Sequence, residues 1–166
     1  MILIGMGGNM PGAYGPPLQS LTYAVSRFAG LGMRVIACSP WYGAQAVPVS
    51  DQPDFVNGVI QVETGLTPPE LLEALHVLER QFGRLRGAQN AARTLDLDIL
   101  AYHELCSNFS RAGDQDLIIP HPRMHQRAFV LMPLCDIAPE WRHPGLGVTA
   151  EELLAALPKP HSVWRL

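Results

Sequence analysis

Arg93-Thr94-Leu95-Asp96-Leu97-Asp98-Ile99-Leu100 is the stretch on which the fold turns. Side chains alternate across a β-strand, so Leu95, Leu97 and Ile99 face one way and Asp96 and Asp98 the other. The apolar side calls for a layer of helices. The acidic side sets two carboxylates roughly 6.5–7 Å apart along the strand. Carboxylates that close repel unless a cation lies between them. Mg²⁺ suits the pair, because it takes one or two carboxylates and completes its shell with water or phosphate oxygens. The plainer alternative is an exposed pair salt-bridged to Arg93, and for an isolated Asp-x-Asp it is the stronger one. The surrounding residues decide between them.

Upstream, Thr67-Pro68-Pro69-Glu70 combines a capping box with proline at the first helical position. Leu71, Leu75, Leu78 and Phe82 form the apolar face of that helix, and Gly83 ends it. Residues 55–64 read as a strand with Val56, Ile60 and Val62 on one face and Phe55, Asn57, Val59 and Gln61 on the other. Residues 34–42 are β-rich, and residues 43–53 read as a loop. Leu18, Leu21, Val25 and Phe28 recur at helical spacing, which predicts a helix over 17–29 with Gly30 as its stop. Leu3 and Ile4 suggest a first strand ending in a turn at Gly5-Met6-Gly7-Gly8-Asn9. Met10 stands where a dinucleotide fingerprint needs its third glycine, so that segment is read as a turn only.

Downstream, a polar excursion over 104–115 precedes Leu117-Ile118-Ile119-Pro120-His121 and an apolar stretch over 129–134. A second capping box, Thr149-Ala150-Glu151-Glu152, opens a short helix that stops before Pro158. The order β-α-β-β-α-β predicts an α+β fold with a ferredoxin-like core, an antiparallel sheet with helices on one face, plus C-terminal additions. The other face is then available for a site, and both aspartates belong to it.

The chain of 166 residues is expected to form one domain. A net charge of −3 gives no electrostatic footprint for nucleic acid. No run approaches the roughly 18 apolar residues of a membrane span, and no leader is recognisable at Met1-Ile2-Leu3-Ile4, so a cytoplasmic protein is expected. Cys38, Cys106 and Cys135 are scattered and form neither a disulfide framework nor a thiolate zinc motif. Eleven of the twelve basic residues are arginine, and Arg84, Arg86, Arg93, Arg123 and Arg127 fall in the same part of the chain as the aspartate pair. Metal plus clustered arginines points to a polyphosphate substrate, although no Gly-rich loop with a lysine is present. His121 lies between two prolines, able to aim at the same face, and Phe55, Asn57 and Phe129 offer what a flat, nitrogen-rich ring needs: stacking faces and an amide.

Four segments in this order resemble the 6-hydroxymethyl-7,8-dihydropterin pyrophosphokinase family: Asp51-Gln52-Pro53-Asp54-Phe55-Val56-Asn57, Leu78-Glu79-Arg80-Gln81-Phe82-Gly83-Arg84, the Arg93–Leu100 stretch, and Ile119-Pro120-His121-Pro122-Arg123. Asp136-Ile137-Ala138-Pro139 is similar but less specific. The resemblance implies transfer of a pyrophosphoryl group from ATP to a dihydropterin hydroxymethyl oxygen, giving AMP, by a monomer acting on small molecules. It implies two Mg²⁺ on Asp96 and Asp98, with Arg84 and Arg93 beside them in catalysis. It implies ATP contacts from Glu79, Arg84, Arg86, Arg93, Ile99, His121 and Arg127. The pterin would lie between Phe55 and Phe129, bonded by Asn57 and by backbone from Ala44 to Val47. One carboxylate, Asp96 before Asp98, is the candidate to draw the proton from the hydroxyl.

The chain departs from the family pattern where Asn90-Ala91-Ala92 replaces Trp-Gly-Pro ahead of Arg93, which implies a differently built lid. Ala44-Gln45-Ala46 replaces a Pro-rich segment, and Pro122 stands where some relatives carry tyrosine. Two rivals stay open: a non-catalytic pterin or nucleotide binder on the same fold, and a different Asp-x-Asp transferase that needs no aromatic pocket.

Overall fold

The computed structural model describes residues 1–46, 51–84, 92–110, 116–159 and 162–166. Strands β1 (Ile2–Gly8), β2 (Met33–Cys38), β3 (Tyr42–Ala44), β4 (Phe55–Thr64) and β5 (Asp96–Tyr102) belong to one sheet with β8 (Val163–Arg165). Its order is β5-β1-β4-β3-β8, with β2 pairing the other half of β4, and every pairing is antiparallel. Strands β6 (Ser107–Phe109) and β7 (Leu117–Ile119) form a separate ribbon. The helices are α1 (Pro17–Arg27), α2 (Pro68–Gln81), α3 (Ala128–Ile137) and α4 (Ala150–Ala156).

Helices α1 and α2 cover one face. Leu21, Ala24 and Phe28 meet Leu71, Leu75 and Leu78 over Ile4, Met6, Ile60, Val62, Leu95, Leu97 and Ile99 in one buried cluster. Burying each such leucine contributes about 1.5–3 kcal/mol. The α2 capping box forms as the sequence predicts, the Thr67 N–H donating to Glu70 Oε2 at 2.8 Å, and Gly83 leaves the helix at φ +80°.

The opposite face is only partly open, which corrects the expectation of helices on one side. Leu3, Val59 and Leu100 are apolar on that face, and Val130, Leu131 and Leu134 of α3 with Leu153 of α4 bury them. The exposed remainder of that face carries the aspartates. Two further boundaries differ. Residues 5–8 continue β1 instead of turning, because Gly5, Gly7 and Gly8 sit where neighbouring groups crowd the strand. A Cβ on Gly8 would lie 2.7 Å from the Thr94 carbonyl oxygen. Helix α1 tightens at Phe28–Leu31 into a 3₁₀ turn, so Gly32 at φ +78°, not Gly30, ends it. The β-rich segment splits at Ser39-Pro40, and its second half, β3, reaches into the expected loop.

No helix among the described residues is long and apolar enough to cross a membrane.

Candidate active site

Strand register lines the site up across the sheet. Asp96 of β5 pairs with Gly7 of β1, Gly7 with Asn57 of β4, and Asn57 with Tyr42 of β3. These residues share one face, and with strands about 4.8 Å apart Asp96 and Asn57 stand roughly 10 Å from each other. The next row is Asp98, Gly5 and Val59. Both β1 positions facing the site are glycine. The Leu100 side chain packs over Gly5, where a Cβ would lie 3.2 Å from its Cδ2, and the floor between the acidic strand and the amide is bare backbone at Gly7. A Cβ on Gly7 would lie 3.0 Å from Asn57 Oδ1.

On the acidic side, Asp96 Oδ1 lies 2.8 Å from Arg84 Nη1 and 2.7 Å from Arg93 Nη1. The salt bridge to Arg93 that the plainer reading expected is therefore present, but within a cluster. Asp96 Oδ1 is buried and receives no aligned hydrogen bond despite two guanidiniums beside it. Asp98 keeps 45% of its side chain open. Its carboxyl is raised from the ordinary range, first by the atoms that displace water around it and then by the Asp96 charge. Arg127, Arg84 and Arg93 oppose that shift.

His121 Nε2 lies 3.9 Å from Asp98 Oδ2. Its backbone N–H donates to the Leu100 carbonyl at 2.9 Å, which fixes it beside β5. Nδ1 accepts from the Arg123 N–H at 3.1 Å, so a neutral ring carries its proton on Nε2, aimed toward the aspartates. Burial, then Arg127 and Arg123, push its pKa down to about 4. The ring is a neutral donor at physiological pH.

Glu79 is 3% exposed. It pairs with Arg84 and accepts the Leu97 N–H at 2.7 Å. The structure gives it a supporting part, holding an arginine and β5 beside the site where the resemblance implied an ATP contact. Burial first raises its pKa, to about 7, while Arg84 and the Leu97 N–H pull it back. Ile99 is also not brought to the site by its side chain. Strand alternation sends it into the α1–α2 core beside Leu97.

On the amide side, Asn57 is buried and its Nδ2 has no hydrogen-bond partner among the described residues. Such an orphaned donor is costly unless a ligand meets it. Phe55 shares its face by alternation and pairs in register with the buried Ala44. Phe129 of α3 packs half-buried against the Leu3–Val59–Leu100 cluster, with the Arg127 guanidinium 5.4 Å from its ring centroid. Val47 and Arg86, like the Asn90-Ala91 part of the lid departure, lie outside the described residues.

Two contributors escaped the sequence reading. Gly7 looked like part of a turn, although alternation from Leu3 would have set it on the aspartate face. Asn9 is buried. Its Oδ1 accepts the Arg93 N–H at 2.9 Å, and its Nδ2 donates to the Pro53 carbonyl at 3.1 Å. It joins the arginine side of the site to the segment leading into β4.

Two carboxylates fit Mg²⁺ but do not complete its shell. Among the described residues no group of three or more His, Cys, Asp and Glu gathers to hold a metal. The remaining positions would go to phosphate oxygens and water.

The 7,8-dihydro-6-hydroxymethylpterin-pyrophosphokinase (HPPK) family matches residues 3–139. A 2-amino-4-hydroxy-6-hydroxymethyldihydropteridine pyrophosphokinase of Pseudomonas aeruginosa is 40% identical over 158 residues, covering 95% of this chain and 91% of that protein. Its namesake from Synechocystis sp. is 40% identical over 153 residues, covering 92% of this chain and 73% of that one. A crystal structure of Plasmodium falciparum HPPK-DHPS superposes with a TM-score of 0.70 at 14% identity, over 93% of this chain and 43% of that chain. That likeness speaks for the fold alone, and this chain spans less than half of the longer solved one. By its matched length and its relatives, the chain belongs to the 7,8-dihydro-6-hydroxymethylpterin-pyrophosphokinase family.

Proposed function

We propose that this chain transfers the pyrophosphoryl group of ATP to the 6-hydroxymethyl oxygen of 6-hydroxymethyl-7,8-dihydropterin, releasing AMP, as a Mg²⁺-dependent step of folate biosynthesis. The observation that carries the reading is the row Asp96–Gly7–Asn57. It sets a phosphate-and-metal edge and an unsatisfied amide donor on one face, separated by bare backbone at Gly7.

The pterin edge meets Asn57, with Phe55 and Phe129 as its stacking faces. Its hydroxymethyl group then lies over Gly7, toward the aspartates. Asp96 and Asp98 would hold Mg²⁺, which when bound supplies charge neutralisation at the triphosphate oxygens. Arg84 and Arg93, fixed by Glu79 and Asn9, take phosphate charge together with Arg127. The neutral His121 donates from Nε2 to a phosphate oxygen without adding a charge of its own. The hydroxymethyl oxygen bonds to the β-phosphorus, the bond from that phosphorus to the oxygen shared with the α-phosphate breaks, and AMP leaves. Asp96 is held between two guanidiniums, and Asp98 keeps more of its side chain open, so Asp98 is the candidate to draw the hydroxyl proton. This reverses the order expected from sequence.

The same reading takes the core as ferredoxin-like. The strand order β5-β1-β4-β2 with α1 and α2 on one face supports it. It also takes residues 1–166 as one domain, acting as a cytoplasmic monomer, and the pairing of β8 with β3 in the same sheet as β1 supports the single domain.

The test follows AMP from protein, ATP, Mg²⁺ and 6-hydroxymethyl-7,8-dihydropterin, omitting each component in turn. AMP that requires all of them supports the proposal. Ligand binding without AMP favours a binding protein, and AMP without pterin favours another transferase.

A further inference from the structure

The pterin side of the site rests on β3, a strand of three residues. Its inner edge pairs with β4, and its outer edge pairs with β8: Tyr42 with Arg165, Gly43 with Trp164, Ala44 with Val163. The pairing is extended past both ends. The Gln45 N–H donates to the Ser162 carbonyl at 3.2 Å, and the Leu166 N–H to the Trp41 carbonyl at 3.0 Å. The Trp164 indole lies directly against the Gly43 Cα, where a Cβ would fall 2.4 Å from Cε2 and 2.5 Å from Nε1. Only glycine admits that seat. Trp164 is nevertheless 42% exposed, so it is no core residue.

A second tie crosses from β3 to α3. The Tyr42 hydroxyl donates to Asp136 Oδ2 at 2.6 Å, and Asp136 Oδ1 lies 4.0 Å from Arg165 Nη1. Asp136 sits seven residues beyond Phe129 on the same helix, two turns or about 10 Å along its axis. One carboxylate thus links the strand carrying Ala44, the helix carrying Phe129, and β8.

Resting on the proposed function, we infer that β8 is a strap that sets the width of the dihydropterin pocket, with Trp164 as a positioning residue for the pterin and the Tyr42–Asp136–Arg165 tie holding α3 in place. Trp164 touches no substrate. Seated on Gly43, it keeps β3 flat against β4, so that the Ala44 backbone and Asn57 meet the pterin edge together. The nucleotide side, across β1 and β5, does not depend on it.

Trp164→Ala, Trp164→Phe, Gly43→Ala and the Gly43→Ala/Trp164→Ala double variant test this in the full chain. The KM for dihydropterin should rise about tenfold in Trp164→Ala, the scale of one misplaced hydrogen bond. The KM for ATP and kcat should stay within about twofold. Trp164→Phe should recover most of the pterin affinity. Gly43→Ala should match Trp164→Ala, and the double variant should be no worse than either, because the two share one contact. Without any substrate, the β3 amides should exchange with solvent faster in Trp164→Ala. An unchanged pterin KM, an equal loss for ATP and pterin, or fully additive variants would overturn the strap. Faster exchange with unchanged pterin KM would overturn it too, leaving the proposed function standing. A wild-type protein that releases no AMP would contradict that function itself and this inference with it.

Discussion

Replacing Gly7 by alanine puts a single methyl group into the floor between the two halves of the site. The β1 backbone at Gly7 has no positive φ, so alanine takes up its conformation without strain. The new Cβ would lie 3.0 Å from Asn57 Oδ1 and 3.8 Å from the Val56 carbonyl oxygen. An ordinary carbon–oxygen contact is longer by several tenths of an ångström, so the Asn57 amide must rotate. Its Nδ2, which has no protein partner among the described residues, then turns away from the pterin edge. Losing one or two hydrogen bonds at about 1–1.5 kcal/mol each raises the pterin KM roughly ten- to hundredfold. The ATP KM should move less than about threefold, because Arg84, Arg93 and Asp96 are untouched. Stability should change by under about 1 kcal/mol, as expected for an added methyl at a strand position that can accept it. The assay is initial-rate kinetics with each substrate varied at saturation of the other, beside a thermal melt. A folded variant with a pterin KM within twofold of wild type would refute the row Asp96–Gly7–Asn57 as the site's axis. A loss falling on ATP instead would assign the floor to the wrong substrate.

Three further outcomes follow from the same geometry. Glu79 is raised from 4.5 to about 7, so between those values the folded protein binds more protons than the unfolded chain, and stability falls as pH rises through the window. At 1.36 kcal/mol per pH unit this amounts to roughly 3 kcal/mol; urea unfolding should show wild type losing stability from pH 5 to 8 relative to Glu79→Gln, and parallel slopes would refute it. Nitrogen NMR should find His121 neutral with its proton on Nε2 down to about pH 5, and titration near 6.5 would remove its role as an uncharged donor. Phe129→Ala should chiefly weaken pterin binding, measured by calorimetry; unchanged affinity would take that ring out of the pocket.

What could be read in the sequence was local and periodic. The α2 capping box, the β4 span and the alternation of β5 depend on neighbours in the chain, and they appear as the patterns require. The aspartate face and the arginine cluster followed from them. What could not be read depends on contacts distant in sequence. Glycine signals a turn when seen alone, yet Gly5, Gly7 and Gly8 are strand residues because Leu100, Asn57 and Thr94 crowd them from other strands. The half-covered second face was hidden because nothing local says that α3 and α4 must fold back over Leu3, Val59 and Leu100. The hold of Glu79 on β5 was hidden too, because the Leu97 N–H it accepts lies 18 residues further along the chain. The tie through Asp136 joins residues 94 positions apart, beyond any periodicity.

The central claim is that Asp96 and Asp98 hold the metal and phosphates opposite a bound pterin. AMP formation by Asp96→Ala and Asp98→Ala, with ATP, Mg²⁺ and 6-hydroxymethyl-7,8-dihydropterin at saturation, tests it most directly. Turnover should fall by about a thousandfold or more, with both variants still folded by thermal melt. The Asp98 side chain is 45% exposed, and its loss should cost little stability. Asp96→Ala also removes the partner of Arg84 and Arg93 and should lower the melting temperature more. Near-normal AMP release by both variants would contradict the account.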